Sequence, residues 1–217
     1  MATKKAHPAE PLTPEIADTE DHKTMPDGRT MRAERNRQVV VEAFSLLLKE
    51  GVAQPTAQVV ADKAGVSTST LFRLYEDLEA IHCAVLRHRF EQLQHLMVDV
   101  PLNLPLEERI RQLVTLRSKF YEQVAPVRRF VVAQRATSKY LAKGLEMNEG
   151  LFFQQIRRLF AAELGTIECR EDVLYSIDNL VSWESWQRLR TVQRLSVRKS
   201  KQVISSVLLR LLKQPAK

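Results

Sequence analysis

A chain of 217 residues, 44% apolar and 27% charged, has the size and balance of a globular protein with one substantial domain or two small ones. No uncharged apolar run reaches the length of a membrane span, and no apolar stretch follows Lys4 and Lys5. Both observations argue against a membrane or secreted protein and for a cytoplasmic one, with Cys83 and Cys169 as reduced thiols.

The net charge of +7 is spread unevenly. Residues 1–28 carry three lysines against six acids, residues 29–78 seven basic against six acidic, and residues 79–217 twenty-three against fourteen. The basicity lies away from the motif described below, so it says little about nucleic acid. Only six glycines are present, and Leu, Ala, Glu, Arg and Gln dominate, which favours helix throughout.

Residues 1–28 hold Pro8, Pro11, Pro14, Pro26 and Gly28 with few large apolar residues, and read as a disordered arm. Helical periodicity starts at Arg32: Val39, Val40, Ala43, Phe44, Leu47 and Leu48 recur until Gly51. Thr56 reads as the N-cap of a short helix over "TAQVVADKA", ended by Gly65. Ser67 caps a third helix with Leu71, Leu74 and Tyr75 inward, and Asp77 caps a fourth running to about Val98. "PLNLP" at 101–105 breaks the chain. Four or five further helices are expected, over 106–124, 127–140, 146–164, 170–190 and 197–213, with Pro126, Gly144, Gly150, Gly165 and Ser196 as most of the punctuation. The total is about nine helices and no strand, an all-α protein.

Two short helices joined through a glycine turn form a helix-turn-helix, whose second helix enters the major groove. Counted from Ser67, the outward positions are Thr68, Ser69, Phe72 and Arg73. Small hydroxyls such as those of Ser67, Thr68, Ser69 and Thr70 let a backbone approach and donate to phosphate. Arg73 can fork onto a guanine edge or a phosphate. Thr56 brings a hydroxyl and free N–H groups to another phosphate. The run Arg29, Arg32, Arg35 and Arg37 is either a solvated helix start or a backbone-reaching arm.

Residues 32–81 resemble the TetR family of bacterial transcription regulators. The likeness rests on Gly51, Thr56, Val60, Ala61, Ala64, Gly65, Val66, Ser67, Thr70, Leu71, Phe72, Tyr75, Glu79 and Ile81. "LVSWESWQRLR" and the capped, leucine-rich segment after it resemble the last two helices of members. The resemblance implies a three-helix DNA-binding head (29–78) and a helical body (79–217) that binds an effector and dimerises. It implies a repressor that leaves a palindromic operator when a small ligand enters the body. Arg32, Thr56, Ser67, Thr68, Ser69, Thr70, Phe72, Arg73 and Tyr75 are then the DNA-binding set. Three departures stand out: Phe72 where a tyrosine is common, Leu78 where a lysine usually opens the fourth helix, and Ser69 for a glycine.

Within the body, Phe120, Phe153 and Trp183 are the expected lining for a largely apolar effector, against plain core packing of each. The last two helices are apolar over more than one face, which suits a homodimer interface. The run Arg188, Arg190, Arg194, Arg198, Lys199 and Lys201 reads as cations facing a helix end and solvent. His88 and His95 share one polar face with Gln92 and Asp99 while His82 sits elsewhere; a solvated face is expected rather than a metal site, and no cofactor either. Nothing has the spacing of a nucleophile with its base, nor a phosphate-cradling glycine loop, so an enzyme is not expected. The rival reading, from another class, is a dimeric module binding small molecules or protein that has lost specific DNA recognition.

Overall fold

The computed structural model describes residues 28–213; the sequence-predicted arm lies, but for Gly28, outside the described residues, as does the Arg29 side chain. All regular structure among them is helical. The helices are α1 (Gly28–Lys49), α2 (Ala57–Ala64), α3 (Thr68–Leu74), α4 (Leu78–Leu93), α5 (Leu106–Gln134), α6 (Lys139–Leu159), α7 (Ala161–Leu164), α8 (Arg170–Leu180), α9 (Trp183–Gln187) and α10 (Val197–Leu212). None is long and apolar enough to cross a membrane.

Local chemistry sets the first four. α1 buries Val40, Val41, Ala43, Phe44, Leu47 and Leu48 at three- and four-residue spacing. It ends where Gly51 turns left-handed (φ +94), with Gly51 N donating to Leu48 O and Val52 N to Leu47 O. That pair of bonds satisfies the last carbonyls of the helix. α2 closes the same way around Gly65 (φ +68), with Gly65 N on Asp62 O and Val66 N on Ala61 O. Thr56, Ser67 and Asp77 cap α2, α3 and α4, each side chain accepting from the backbone N–H three residues on.

Several expected boundaries shift. α5 runs unbroken through Pro126 rather than stopping at residue 124. The proline loses one backbone bond, but Val124, Val127, Phe130 and Val131 are buried on both sides of it. Arg89 of α4 donates to the Gln123 carbonyl in the same turn. α6 runs through Gly144 and Gly150, so neither glycine is punctuation. A Cβ at Gly144 would sit 3.1 Å from Leu86 Cδ2, so this glycine lets α4 and α6 approach. The expected helix 170–190 instead breaks at Val181–Ser182. Ser182 Oγ donates to Asn179 O and accepts from Ser185 N, starting α9 afresh. α4 also ends earlier than expected, passing into a 3₁₀ turn at Gln94–Leu96.

Two apolar clusters organise the chain. One gathers Val40, Phe44, Leu47, Val60, Leu71, Ile81 and Val85 from α1–α4, and also Val127, Phe130 and Val131 from α5 and Leu141 and Leu145 from α6. The other holds Leu113, Phe120, Tyr121, Phe152, Ile156, Phe160, Ile177, Trp183, Trp186, Ile204 and Leu208. α5 supplies both and so acts as a rigid spine between them. Each fully buried Leu, Ile or Phe contributes roughly 1.5–3 kcal/mol through its removal from water.

Candidate nucleic-acid interface and effector region

α2, the Gly65 turn and α3 form the helix-turn-helix. Leu71 is fully buried against α1, which fixes the opposite face of α3 as the outward one. On that face Ser69 and Arg73 are exposed and Phe72 is 46% exposed. Thr68 is only half-exposed: its hydroxyl donates to Gln58 Oε1 at 3.1 Å and ties α3 to α2. Ser67 Oγ accepts from Thr70 N (3.1 Å) and donates to Thr70 Oγ1 (2.9 Å), so both hydroxyls hold the first turn of α3. Thr56 is exposed at the start of α2, where its Oγ1 accepts from Val59 N at 3.4 Å.

Tyr75 faces elsewhere. Its hydroxyl donates to the Arg37 carbonyl (3.2 Å), while Arg37 Nε donates to the Leu74 carbonyl (3.3 Å). This reciprocal clamp pins the end of α3 to α1. Burial pushes the Tyr75 phenol above its usual range, with Arg37 opposing, so it stays a neutral donor. Arg32 and Arg35 are exposed on the first turns of α1, and Arg37 also pairs with Glu34. Leu78, at the first position of α4, is half-buried against the head core.

His82 packs edge-on against Phe44 and Phe130 at centroid distances of 5.3 and 4.7 Å, and burial lowers its pKa. His88 Nε2 is 2.7 Å from Gln92 Nε2 on α4. Among the described residues no group of three potential metal ligands converges.

Phe120, Phe153 and Trp183 are not brought together around one cavity. Phe120 meets Phe152 edge-on (5.3 Å) and Trp183 meets Tyr121 (5.8 Å), all within the body core. Phe153 instead stacks on exposed Tyr175 at 6.0 Å and 12°. A cleft of about 230 Å³ lies between α1, α4 and α5 and is lined by Glu42, Lys49, His88, Arg89 and Gln92 among others. A second cavity, in the body between α5, α9 and α10, is only about 10 Å³ and touches Arg117, Tyr121 and Trp186.

Buried arginines are what the sequence reading missed. Arg109, Arg117 and Arg128 of α5 are 7%, 5% and 7% exposed. The signal was present: Arg109, Leu113, Arg117, Phe120, Val124 and Arg128 repeat every three or four residues, which places all three arginines on the apolar stripe. Of the basic run at 188–201, Arg190 is likewise not simply solvated. It holds Glu122 in a two-pronged pair (2.9 and 3.2 Å), and Trp186 Nε1 donates to the same carboxylate. Donation from Arg190, against the effect of burial and aided by Trp186, keeps Glu122 below the usual carboxylate range.

No family profile matches the sequence, and no curated protein does. Solved structures do match the fold. A TetR-family transcriptional regulator from Streptomyces coelicolor superposes with a TM-score of 0.61 at 16% identity, covering 82% of each chain. A putative TetR-family regulator from Rhodococcus sp. gives 0.63 at 12% identity, covering 82% of this chain and all of that one. A putative transcriptional regulator from Saccharomonospora viridis, crystallised in complex with choline, gives 0.64 at 15% identity over 81% and 96% of the two chains. At these identities the likeness is one of fold: the chain has the all-helical architecture of TetR-family regulators.

Proposed function

We propose that this protein is a ligand-responsive, DNA-binding transcription regulator that acts as a homodimeric repressor. Its residues 29–78 serve as the DNA-binding head and residues 79–217 as the effector and dimer body. The observation that carries the reading is the two-sidedness of α3. Leu71 is wholly buried, the Tyr75–Arg37 clamp holds the helix to α1, and Ser69, Phe72 and Arg73 face solvent. A short helix held this rigidly behind a left-handed turn is built to present three side chains at a fixed depth. Arg73 is assigned to a base edge, and Ser69 and Thr56 to phosphates, with Arg32 reaching the backbone from α1. Ser67, Thr68, Thr70 and Tyr75 are assigned mainly to holding α3 in place, with Phe72 in apolar contact with DNA.

The likeness in fold to regulators supports this reading, and the choline complex of one neighbour supports a small-molecule effector in the body. For the dimer, Val203, Val207 and Leu211 repeat every fourth residue along α10 and remain half-exposed. Gel-shift titration against the DNA flanking the protein's own gene tests the proposal. Specific binding surviving physiological salt supports it, and binding that vanishes there on every sequence refutes it.

A second reading has one observation in its favour. Phe72 is exposed and Leu78 half-buried, at positions where the resemblance leads one to expect a tyrosine and a lysine. A dimeric binding module with weak DNA affinity fits that surface, and the same titration separates the two.

A further inference from the structure

Among the described residues, one buried cation of the body has no carboxylate partner. Arg109 pairs with Glu163, its Nη1 also 3.2 Å from the second carboxylate oxygen, and Arg128 pairs with Glu149 at 2.5 Å. Arg117 is as buried as either, yet among the described residues no carboxylate lies within ion-pair distance of it. Its Nη2 donates to the Phe152 carbonyl (3.0 Å) and Gln155 Oε1 (3.1 Å), and Nη1 makes a long contact to the Tyr121 hydroxyl (3.4 Å). Phe152 lies 3.5 Å below the guanidinium. Nε, like that of Arg128, has no hydrogen-bond partner among the described residues. Asp178, half-buried on α8, acts on Arg117 only through space.

A buried guanidinium stays charged, and one held by neutral acceptors alone is costly to the fold. Arg117 also lines the small cavity between α5, α9 and α10, beside Tyr121 and Trp186 and apolar Val114, Val181 and Ile204. As it stands, the cavity has room for about one water. The wall facing α5 departs from regular α-helix at several points. Val181–Ser182 breaks α8 from α9, the segment Arg188–Val192 is a π-turn, and Arg194 is the one described non-glycine residue with a left-handed φ (+54). π-turns and left-handed non-glycine residues cluster where a structure changes shape or binds.

From this geometry we infer that the effector is an organic carboxylate with an apolar body, its carboxylate taken by Arg117 and its apolar part by the space opened when the α9 wall moves away from α5. The inference rests on the proposed ligand-responsive body and names the chemical class that body accepts. Arg117 then does for the ligand what Arg109 and Arg128 do for Glu163 and Glu149. Tyr121, which donates to the Val181 carbonyl at 2.9 Å, orients the seam between α8 and α9 next to the bound anion. Burial raises the Tyr121 phenol above its usual range, so it remains a donor and does not compete as an anion.

The test uses the full-length protein and a matched panel: straight-chain carboxylates from four to twelve carbons, phenylacetate, the corresponding alcohols, and alkyltrimethylammonium ions of equal length. Binding is read by melting temperature and by tryptophan fluorescence, since Trp186 borders the cavity and Trp183 touches Tyr121. At least one carboxylate is expected to bind about ten- to a hundred-fold tighter than its alcohol, the range of a hydrogen bond to a charged group. The ammonium ions are expected not to bind. In Arg117→Met the preference for carboxylate over alcohol is expected to disappear, and in Arg117→Lys to survive in part. Should Arg117→Met fail to fold, the wild-type selectivity and the lysine variant still decide. Equal binding of acid and alcohol, binding of the ammonium ions alone, or binding of nothing in the panel would each overturn the assignment of Arg117. Release from DNA is measured separately by gel shift. A carboxylate that binds through Arg117 without loosening DNA refutes ligand control of DNA binding and leaves the Arg117 site standing.

Discussion

Leu78→Lys sets the edge of the head proposed to face DNA against its packing. Leu78 is the first residue of α4, directly after the Asp77 cap whose carboxylate accepts from Ala80 N at 2.7 Å, and its side chain is half-buried against the head core. Losing half the burial of a leucine costs about 1 kcal/mol, part of which the lysine stem recovers by lying along the same surface. A cation in the first turn of a helix costs about another 0.3–1 kcal/mol against the helix dipole. The head is therefore expected to lose about 1–2 kcal/mol, measured by urea unfolding, and to remain folded. If α4 begins against the DNA backbone, the ammonium reaches a phosphate. The slope of log K against log salt then steepens by about 0.9 per protomer, or about 1.8 for a dimer on one operator. Between 200 and 50 mM salt, that difference amounts to roughly ten-fold more gain in affinity than the wild type shows. Operator preference should stay as it was, because a phosphate contact carries no base information. An unchanged slope in a folded variant refutes the placement of this helix end at DNA.

Arg73→Ala should weaken operator binding by about 1–3 kcal/mol while scrambled DNA loses less; an equal loss on both, by competitive gel shift, makes Arg73 a phosphate contact. Gly65→Ala meets no atom within 4 Å, so its cost is the backbone's alone, about 1–2 kcal/mol at φ +68; a neutral urea melt would mean the turn is not left-handed in solution. Arg109→Met leaves Glu163, 17% exposed, without its partner and should cost about 3–5 kcal/mol, whereas Arg109→Met with Glu163→Met should recover much of that; equal losses in the two refute a buried ion pair. Burial beside Phe44 and Phe130 lowers the His82 pKa below its ordinary 6.5, against the pull of Glu79 and Asp77. The fold therefore favours the neutral ring: its contribution is complete above about pH 6.5 and declines as pH falls from there through the lowered pKa. His82→Phe should remove that part of the acid sensitivity, and a melting temperature whose pH dependence between 7 and 5 is unchanged in the variant would contradict the assignment.

What the sequence made legible follows from which forces act locally. Thr56, Gly65, Ser67 and Asp77 cap or close helices through their own side chains or φ angles, and each is found where its chemistry placed it. Pro126 and Gly144 misled for the opposite reason. Their local preference is to interrupt a helix, but burial on both sides of Pro126 keeps α5 whole, and Gly144 lies where a Cβ would crowd Leu86 of α4, a residue distant in sequence. The break at Ser182 was legible in principle, since a serine preceding "WES" is an ordinary cap, yet the apolar run through it looked continuous.

The candidate site divides along the same line. Which side of α3 faces outward was readable from the spacing of Leu71 and Leu74, because a helix has only one period. That the Tyr75 hydroxyl turns to the Arg37 carbonyl was not, since the two residues are thirty-eight apart and meet only through the packing of α1 on α3. The body was less readable still. Aromatic residues identify a core but not a cavity: Phe120 and Trp183 both pack against Tyr121 inside the core, while Phe153 stacks on Tyr175 apart from them. Arg117 sat unremarked on an apolar stripe whose register already marked it as buried.

Selection of binding sites from random duplex DNA by the full-length protein, at 150 mM salt, tests the central claim most directly. A dimer presenting two α3 helices should enrich a palindrome whose half-sites lie one helical turn, about 10 base pairs, or a multiple of it apart. The half-site should lose its preferred guanine, and little else, when Arg73 is replaced by alanine. A pool that remains random, or that enriches single half-sites without symmetry, would contradict the account.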